Sequence, residues 1–243
     1  MRTLNARDYV ALPRPTIPWL VEGFLPAKAF ALLIGESKAG KSFFALQMCS
    51  ALAKGVPFMG CATKPNSTVL YVNLDATDTS WTTRLNDMMA HGFELGDRLH
   101  FVHPQDHTGP CDVMNLTFQK AIRDTVRDLK PDLIVFDVLR ELHHQKEESS
   151  TEMKVVMENL LDCTEGVAVL VVHHTVKISN KEDIRIVDLA RGSSYMVGKA
   201  ETVLCLMNNT LYTVPRFAEK VMLKAGRSHG MWVLPDFSTA TVL

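Results

Sequence analysis

Gly35-Glu36-Ser37-Lys38-Ala39-Gly40-Lys41-Ser42 decides the fold, because it sits between the apolar run Ala29–Ile34 and the apolar-rich segment Lys41–Ala53. Strand, glycine loop and helix then fall in the order that a phosphate-binding loop requires. The glycines let the backbone curl so that successive N–H groups point at phosphate oxygens. The helix that follows adds the positive end of its dipole. Lys41 is expected to reach the β- and γ-phosphates of ATP and Ser42 to ligate Mg²⁺. The expected nucleotide contacts are Gly35, Glu36, Ser37, Lys38, Ala39, Gly40, Lys41, Ser42 and Phe43.

Outward from this loop, short apolar runs alternate with amphipathic segments, the signature of βαβ units and a mainly parallel sheet. Strands are predicted at Ala29–Ile34, Thr68–Leu74, Leu99–His103, Leu133–Asp137, Val167–His173 and Thr202–Met207. Helices are predicted at Lys41–Ala53, Ser80–Ala90, Leu116–Leu129 and Thr151–Asp162. After Met207, Asn208-Asn209 reads as a hairpin turn. The runs Leu211–Val214, Val221–Lys224 and Met231–Leu234 then read as an antiparallel edge on the parallel core. The fold class is thus α/β, with a parallel central sheet flanked by helices and a C-terminal antiparallel edge. Pro13, Pro15 and Pro18, with no helical period around them, mark residues 1–19 as an extended arm before a single domain at 20–243.

Composition narrows the class of partner. The 243 residues, 47% of them hydrophobic, support one large core. A formal net charge of −1 excludes nucleic-acid binding through bulk positive charge, so any such contact must come from local basic loops. Five scattered cysteines without a C-x-x-C pair argue against a disulfide framework or structural zinc. With no bilayer-length apolar run and no signal-peptide core, the expected setting is cytoplasmic, away from membranes.

Two carboxylates complete the expected chemistry. Asp137 ends the apolar run Leu133–Phe136, where a Walker B aspartate holds Mg²⁺ through water. Asp75 ends Val72-Asn73-Leu74-Asp75 and either orients the attacking water or caps the helix that follows, with Thr77 and Asp78 close behind.

These motifs together resemble the RepA-type hexameric plasmid replicative helicases and related phage recombination ATPases of the RecA superfamily. The resemblance runs from Ile34 to about Gly230. It is carried by Gly35–Ser42 with Phe44-Ala45-Leu46-Gln47, by Leu133–Asp137 with Leu139-Arg140, by Val169–His174, and by Arg191-Gly192-Ser193-Ser194. It implies a RecA-like ATPase working as a hexameric or heptameric ring or a filament, with ATP and Mg²⁺ at subunit seams and single-stranded DNA in the channel. It implies that His173 or His174 senses the γ-phosphate; without it, the pair reads as hydrogen-bonded strand-end residues or as a metal ligand lacking partners.

Further implied roles fall on loops. Lys177, Lys181, Arg185 and Arg191 are candidate DNA contacts, although Glu182, Asp183 and Asp188 in the same loop also fit a solvated segment. Lys224 and Arg227 are candidate fingers reaching a neighbour's γ-phosphate, or simply a basic hairpin turn; their spacing departs from the usual Lys-x-Arg. Asp75 stands where the family carries Glu, one methylene longer, which points to slow turnover. The competing class is a KaiC-like oligomeric scaffold switched by nucleotide. A small-molecule kinase is disfavoured because no arginine-rich lid is present.

Overall fold

The apolar runs become strands in the order the sequence requires. The computed structural model describes residues 3–13, 16–175, 186–190, 192, 194–216, 218–228 and 231–233, and the backbone of 240–242. In chain order the elements are α1 (Ala6–Ala11), β1 (Trp19–Val21), β2 (Leu25–Pro26), β3 (Phe30–Gly35), α2 (Lys41–Lys54), β4 (Val69–Asn73), α3 (Asp78–Ala90), β5 (Leu99–Val102), α4 (Leu116–Leu129), β6 (Leu133–Asp137), α5 (Ser150–Cys163) and β7 (Ala168–His174). There follow α6 (Ser194–Lys199), β8 (Thr202–Met207), β9 (Thr210–Pro215), β10 (Val221–Lys224), β11 (Gly226–Ser228), β12 (Met231–Val233) and β13 (Ala240–Val242).

The main sheet runs β13-β10-β9-β8-β3-β7-β6-β4-β5. Pairings from β8 through β5 are parallel, and β8–β9, β9–β10 and β10–β13 are antiparallel. Alternation along the strands divides the core into two layers. Phe44, Leu46 and Met48 of α2 and Trp81 and Met88 of α3 pack on the face carrying Leu33, Tyr71 and Val135. Phe118 and Ile122 of α4, Met153 and Leu160 of α5 and Met196 of α6 pack on the face carrying Leu32, Ile134 and Val171. Because β3, β4, β6 and β7 are covered on both sides, they read as continuous apolar runs rather than alternating ones. Helix α2 is buried on nearly every side and ends at Gly55, whose φ of 67° lets its N–H reach Ala51 O and Leu52 O. The Asn208-Asn209 turn has φ values of 51° and 55°, the geometry that joins two antiparallel strands tightly.

Two expectations change. Residues 6–11, expected to be extended, form a helix, started by Asn5, whose side chain accepts from the Asp8 N–H. The prolines lie after this turn and do not interrupt it. The Met231 segment, expected at the sheet edge, pairs instead with β11 as a separate ribbon, while β13 takes the edge beside β10. The reason lies in Gln47 on α2. Its amide accepts from Trp232 N at 2.7 Å and donates to Trp232 O at 3.1 Å, so the side chain pairs with the strand as a backbone would. Trp232, buried, also donates from its indole to Gly40 O at 3.0 Å and meets Phe44 edge-on. No described helix is long and apolar enough to cross a membrane.

Candidate functional site

The C-terminal ends of β3, β4, β6 and β7 open on one cleft of about 450 Å³. It is lined by Ser37, Lys38, Gly40, Lys41, Ser42, Phe43, Asp75, Arg84, Asp137, Val138, His174 and Arg227. Ligands bind at this end of an open α/β sheet because loops from several strands converge there. Gly40 has a φ of 87°, which costs glycine nothing, and a Cβ there would lie 2.9 Å from the Arg227 guanidinium carbon. Helix α2 starts at Lys41 without a side-chain cap, so its first N–H groups are available to an anion at the loop.

Lys41 is 7% exposed, and its Nζ donates to Gly35 O at 2.9 Å and to Glu36 O at 2.8 Å. His174 Nδ1 lies 3.4 Å from the same nitrogen. Burial holds the ammonium below its ordinary lysine value, while Asp137 and Asp75 oppose the shift. Asp137 is 4% exposed and accepts from the Tyr71 hydroxyl at 2.6 Å and from Ser42. Burial pushes its carboxyl above the usual carboxylate range, and the Tyr71 and Ser42 hydrogen bonds and the charge of Arg84 pull the other way. Burial, and then the Asp137 charge, push the Tyr71 phenol well up, so it stays a donor. The Asp137-Val138 peptide is cis.

Strand alternation separates the histidine pair. His174 follows Leu170 and Val172 onto the α2 side and lines the cleft. His173 follows Val169 and Val171 toward the other face, where it is 1% exposed. Among the described residues no group of three or more His, Cys, Asp or Glu side chains is gathered as for a metal. Asp75 is exposed on the turn after β4 and lines the cleft.

Arg227 sits on the phosphate loop of its own chain. It lies between the rings of Phe43 (5.9 Å) and Trp232 (5.8 Å), with Nη1 3.4 Å from Lys38 O. Lys224, exposed at the end of β10, is absent from the cleft lining. Lys177, Lys181, Arg185 and Arg191 lie outside the described residues. Gly192, next to them, has a φ of 85°, and a Cβ there would come within 2.6 Å of Glu147 O, so the loops leaving β6 and β7 touch at that point.

Three contributions escaped the sequence reading. Tyr71 lies two residues before Asn73 on a buried strand, and only the pairing of β4 beside β6 brings it to Asp137. Arg84 stacks over Phe43 at 5.2 Å and Trp81 at 5.4 Å, adding a cation to the rim. Its signal was its position three residues after the buried Trp81, which puts both on neighbouring parts of one helix surface. The third is the Gln47–Trp232 pairing. Lys38, Lys41, Arg84 and Arg227 outnumber Asp75 and Asp137 in the lining, which suits a polyphosphate with one divalent cation. Ser42 and Asp137, already joined by a hydrogen bond, are the pair that would hold Mg²⁺.

The fold and the loop together define a RecA-like P-loop ATPase. A protein-family model described as "AAA domain" matches residues 1–180, and the chain belongs to that family. No protein of curated function matches it. Among solved structures it is similar to a KaiC-like protein from the hyperthermophilic archaeon Pyrococcus horikoshii OT3, at 17% identity and TM-score 0.54, covering 89% of this chain and 94% of that one. The ATPase domain of G40P matches at 15% identity and TM-score 0.62, over 86% of this chain and 85% of that domain. A DnaB-like replicative helicase matches at 14% identity and TM-score 0.62, over 93% of this chain and 66% of that one.

Proposed function

We propose that this chain is a Mg²⁺-dependent ATPase that assembles with its own copies, as a ring or filament, and acts on single-stranded DNA in plasmid or phage replication or recombination. The observation that carries the ATPase reading is the single cleft where buried Lys41 and the Ser42–Asp137 pair meet Asp75. Lys41 neutralises the terminal phosphates, and Ser42 and Asp137 hold the cation that offsets their charge. Asp75 orients water for attack on the γ-phosphate. His174, within reach of Lys41 Nζ, reports nucleotide state along β7 to the loop that contains Lys177, Lys181, Arg185 and Arg191. Arg227 serves the phosphates of its own chain, and exposed Lys224 remains the candidate for a neighbour's site.

The DNA and assembly readings rest on the sequence resemblance and on the fold shared with G40P and the DnaB-like helicase. ATP turnover measured with and without single-stranded DNA tests them, with Lys41→Ala as the blank. Stimulation by DNA, and light scattering that shows a larger species with an ATP analogue, are the expected results. Turnover indifferent to DNA, with no nucleotide-dependent gel shift, rejects the DNA role. The shorter carboxylate of Asp75 favours a second reading, a slowly hydrolysing scaffold switched by nucleotide, which predicts assembly without DNA stimulation.

A further inference from the structure

Asp75 is exposed on a turn, so its carboxylate is aimed by the backbone beneath it rather than by packing around it. That turn is pinned at both ends. Leu74 N donates to Asp137 O at 2.7 Å, which ties the start of the turn to the end of β6. Asn73, only 1% exposed, closes the other end: its Oδ1 accepts from Ala76 N at 3.2 Å and its Nδ2 donates to Ala76 O at 2.8 Å. The same Nδ2 donates to His103 Nδ1 at 3.0 Å. Both amide hydrogens and the carbonyl of Asn73 are therefore engaged, which fixes the orientation of the carboxamide.

His103 is itself held. Its backbone N–H donates to Asp106 Oδ2 at 2.9 Å, and its ring stands edge-on to Trp81 at 5.9 Å. As the acceptor from Asn73, its ring carries the proton on Nε2. Asp78 Oδ1 at 3.6 Å is the other group facing Nδ1. Neither Asn73 nor His103 lines the cleft, so their effect on it passes through the turn.

We propose that Asn73 and His103 are positioning residues: buried Asn73 and the partly exposed ring of His103 form a pair that sets where the Asp75 carboxylate stands over the cleft. The inference rests on the reading of Asp75 as the water-orienting group. A displacement of about 1 Å at such a group can cost on the order of 100-fold in rate. A two-point clamp on a three-residue turn would hold it well inside that margin.

The test compares Asn73→Ala, His103→Ala and His103→Asn with Asp75→Asn in the full chain, measuring kcat with saturating Mg-ATP and affinity by titration of a fluorescent ADP analogue. Asparagine is the informative replacement, because its Oδ1 can occupy the place of Nδ1 and accept the same bond. The expected result is a fall in kcat of about 10- to 100-fold for Asn73→Ala and His103→Ala. Nucleotide affinity should stay within about twofold, and His103→Asn should recover most of the rate. Should Asn73→Ala fail to fold, the two His103 variants carry the test. If Asp75→Asn abolishes turnover while both His103 variants match the native rate, the positioning role is wrong. Loss of affinity in step with rate, or no recovery in His103→Asn, also overturns it in favour of a purely structural bond. If Asp75→Asn itself leaves turnover unchanged, the reading of Asp75 has failed, and that result is distinct from the others.

Discussion

Lys41 and Asp75 line the same cleft, yet the floor and the rim are built differently. On the floor, Lys41, Asp137 and Tyr71 are buried, and each is hydrogen-bonded to a group supplied by a strand or by the loop. On the rim, Asp75 and Arg227 are exposed and Arg84 is half-buried, carried on turns, a ribbon and a helix surface. Holding a phosphate needs charges that cannot move away, and burial in the sheet supplies that. On the proposed reading the water-placing group must stay open to solvent, and on the rim Asp75 is held only by the hydrogen bonds of the turn beneath it. The difference suggests that nucleotide binding is a property of the fold, whereas turnover depends on a few backbone bonds.

The sharpest way to break this contrast is Trp232→Ala, since Trp232 joins rim to floor. Removing a buried tryptophan is expected to lower stability by about 3–5 kcal/mol, read from the urea midpoint, and to free Arg227 from the loop. Next is Lys41→Ala, which should weaken nucleotide binding by roughly 10- to 100-fold in the fluorescence titration, as expected for loss of a charged hydrogen-bonding group. Retained affinity would mean the floor is not the phosphate site.

A smaller effect is expected for Tyr71→Phe, about 1.5–3 kcal/mol of stability at neutral pH, because the hydroxyl donates to a buried carboxylate. The sign with pH follows from the ionised form being the stronger acceptor. The contribution is complete where Asp137 is charged and shrinks as pH falls through its folded value, which burial raises above the usual carboxylate range. Urea melts of both proteins across acidic pH should therefore converge. A gap that widens on acidification would reverse the assignment. Arg84→Ala closes the series: loss of its stacking and charge should change stability by under about 1 kcal/mol while reducing nucleotide affinity a few-fold. A large destabilisation would move Arg84 from rim to floor.

Much of this plan was legible in the sequence. The parallel strands and the helices α2 to α5 were found to within a residue or two, because buried apolar runs and helical spacing are local signals. The same locality gave Lys41, Ser42 and Asp137, all at the ends of such runs. Tyr71 fell inside the predicted strand Thr68–Leu74 and was not singled out, since its partner stands 66 residues away and the strand order that unites them is not local. The N-terminal helix was missed for a different reason: Pro13, Pro15 and Pro18 were read as marking the whole arm, although the six-residue helix capped by Asn5 ends before them. Arg227 was expected at a neighbour's site on the strength of the family resemblance, with a basic hairpin turn as the alternative. Only the register of Gln47 against Trp232 turns it back over the loop.

That pairing has a temporal consequence. Trp232 bonds to Gly40 across 192 residues and to Gln47 across 185. A chain emerging N-terminus first presents the glycine loop and α2 long before their last partner exists. During synthesis the loop is therefore uncapped on its Trp232 side, and Phe44 lacks its indole neighbour until almost the entire domain has been made. Ribosome-bound chains stopped before and after Trp232 should differ in nucleotide retention, because only the longer ones can close the ribbon on the loop.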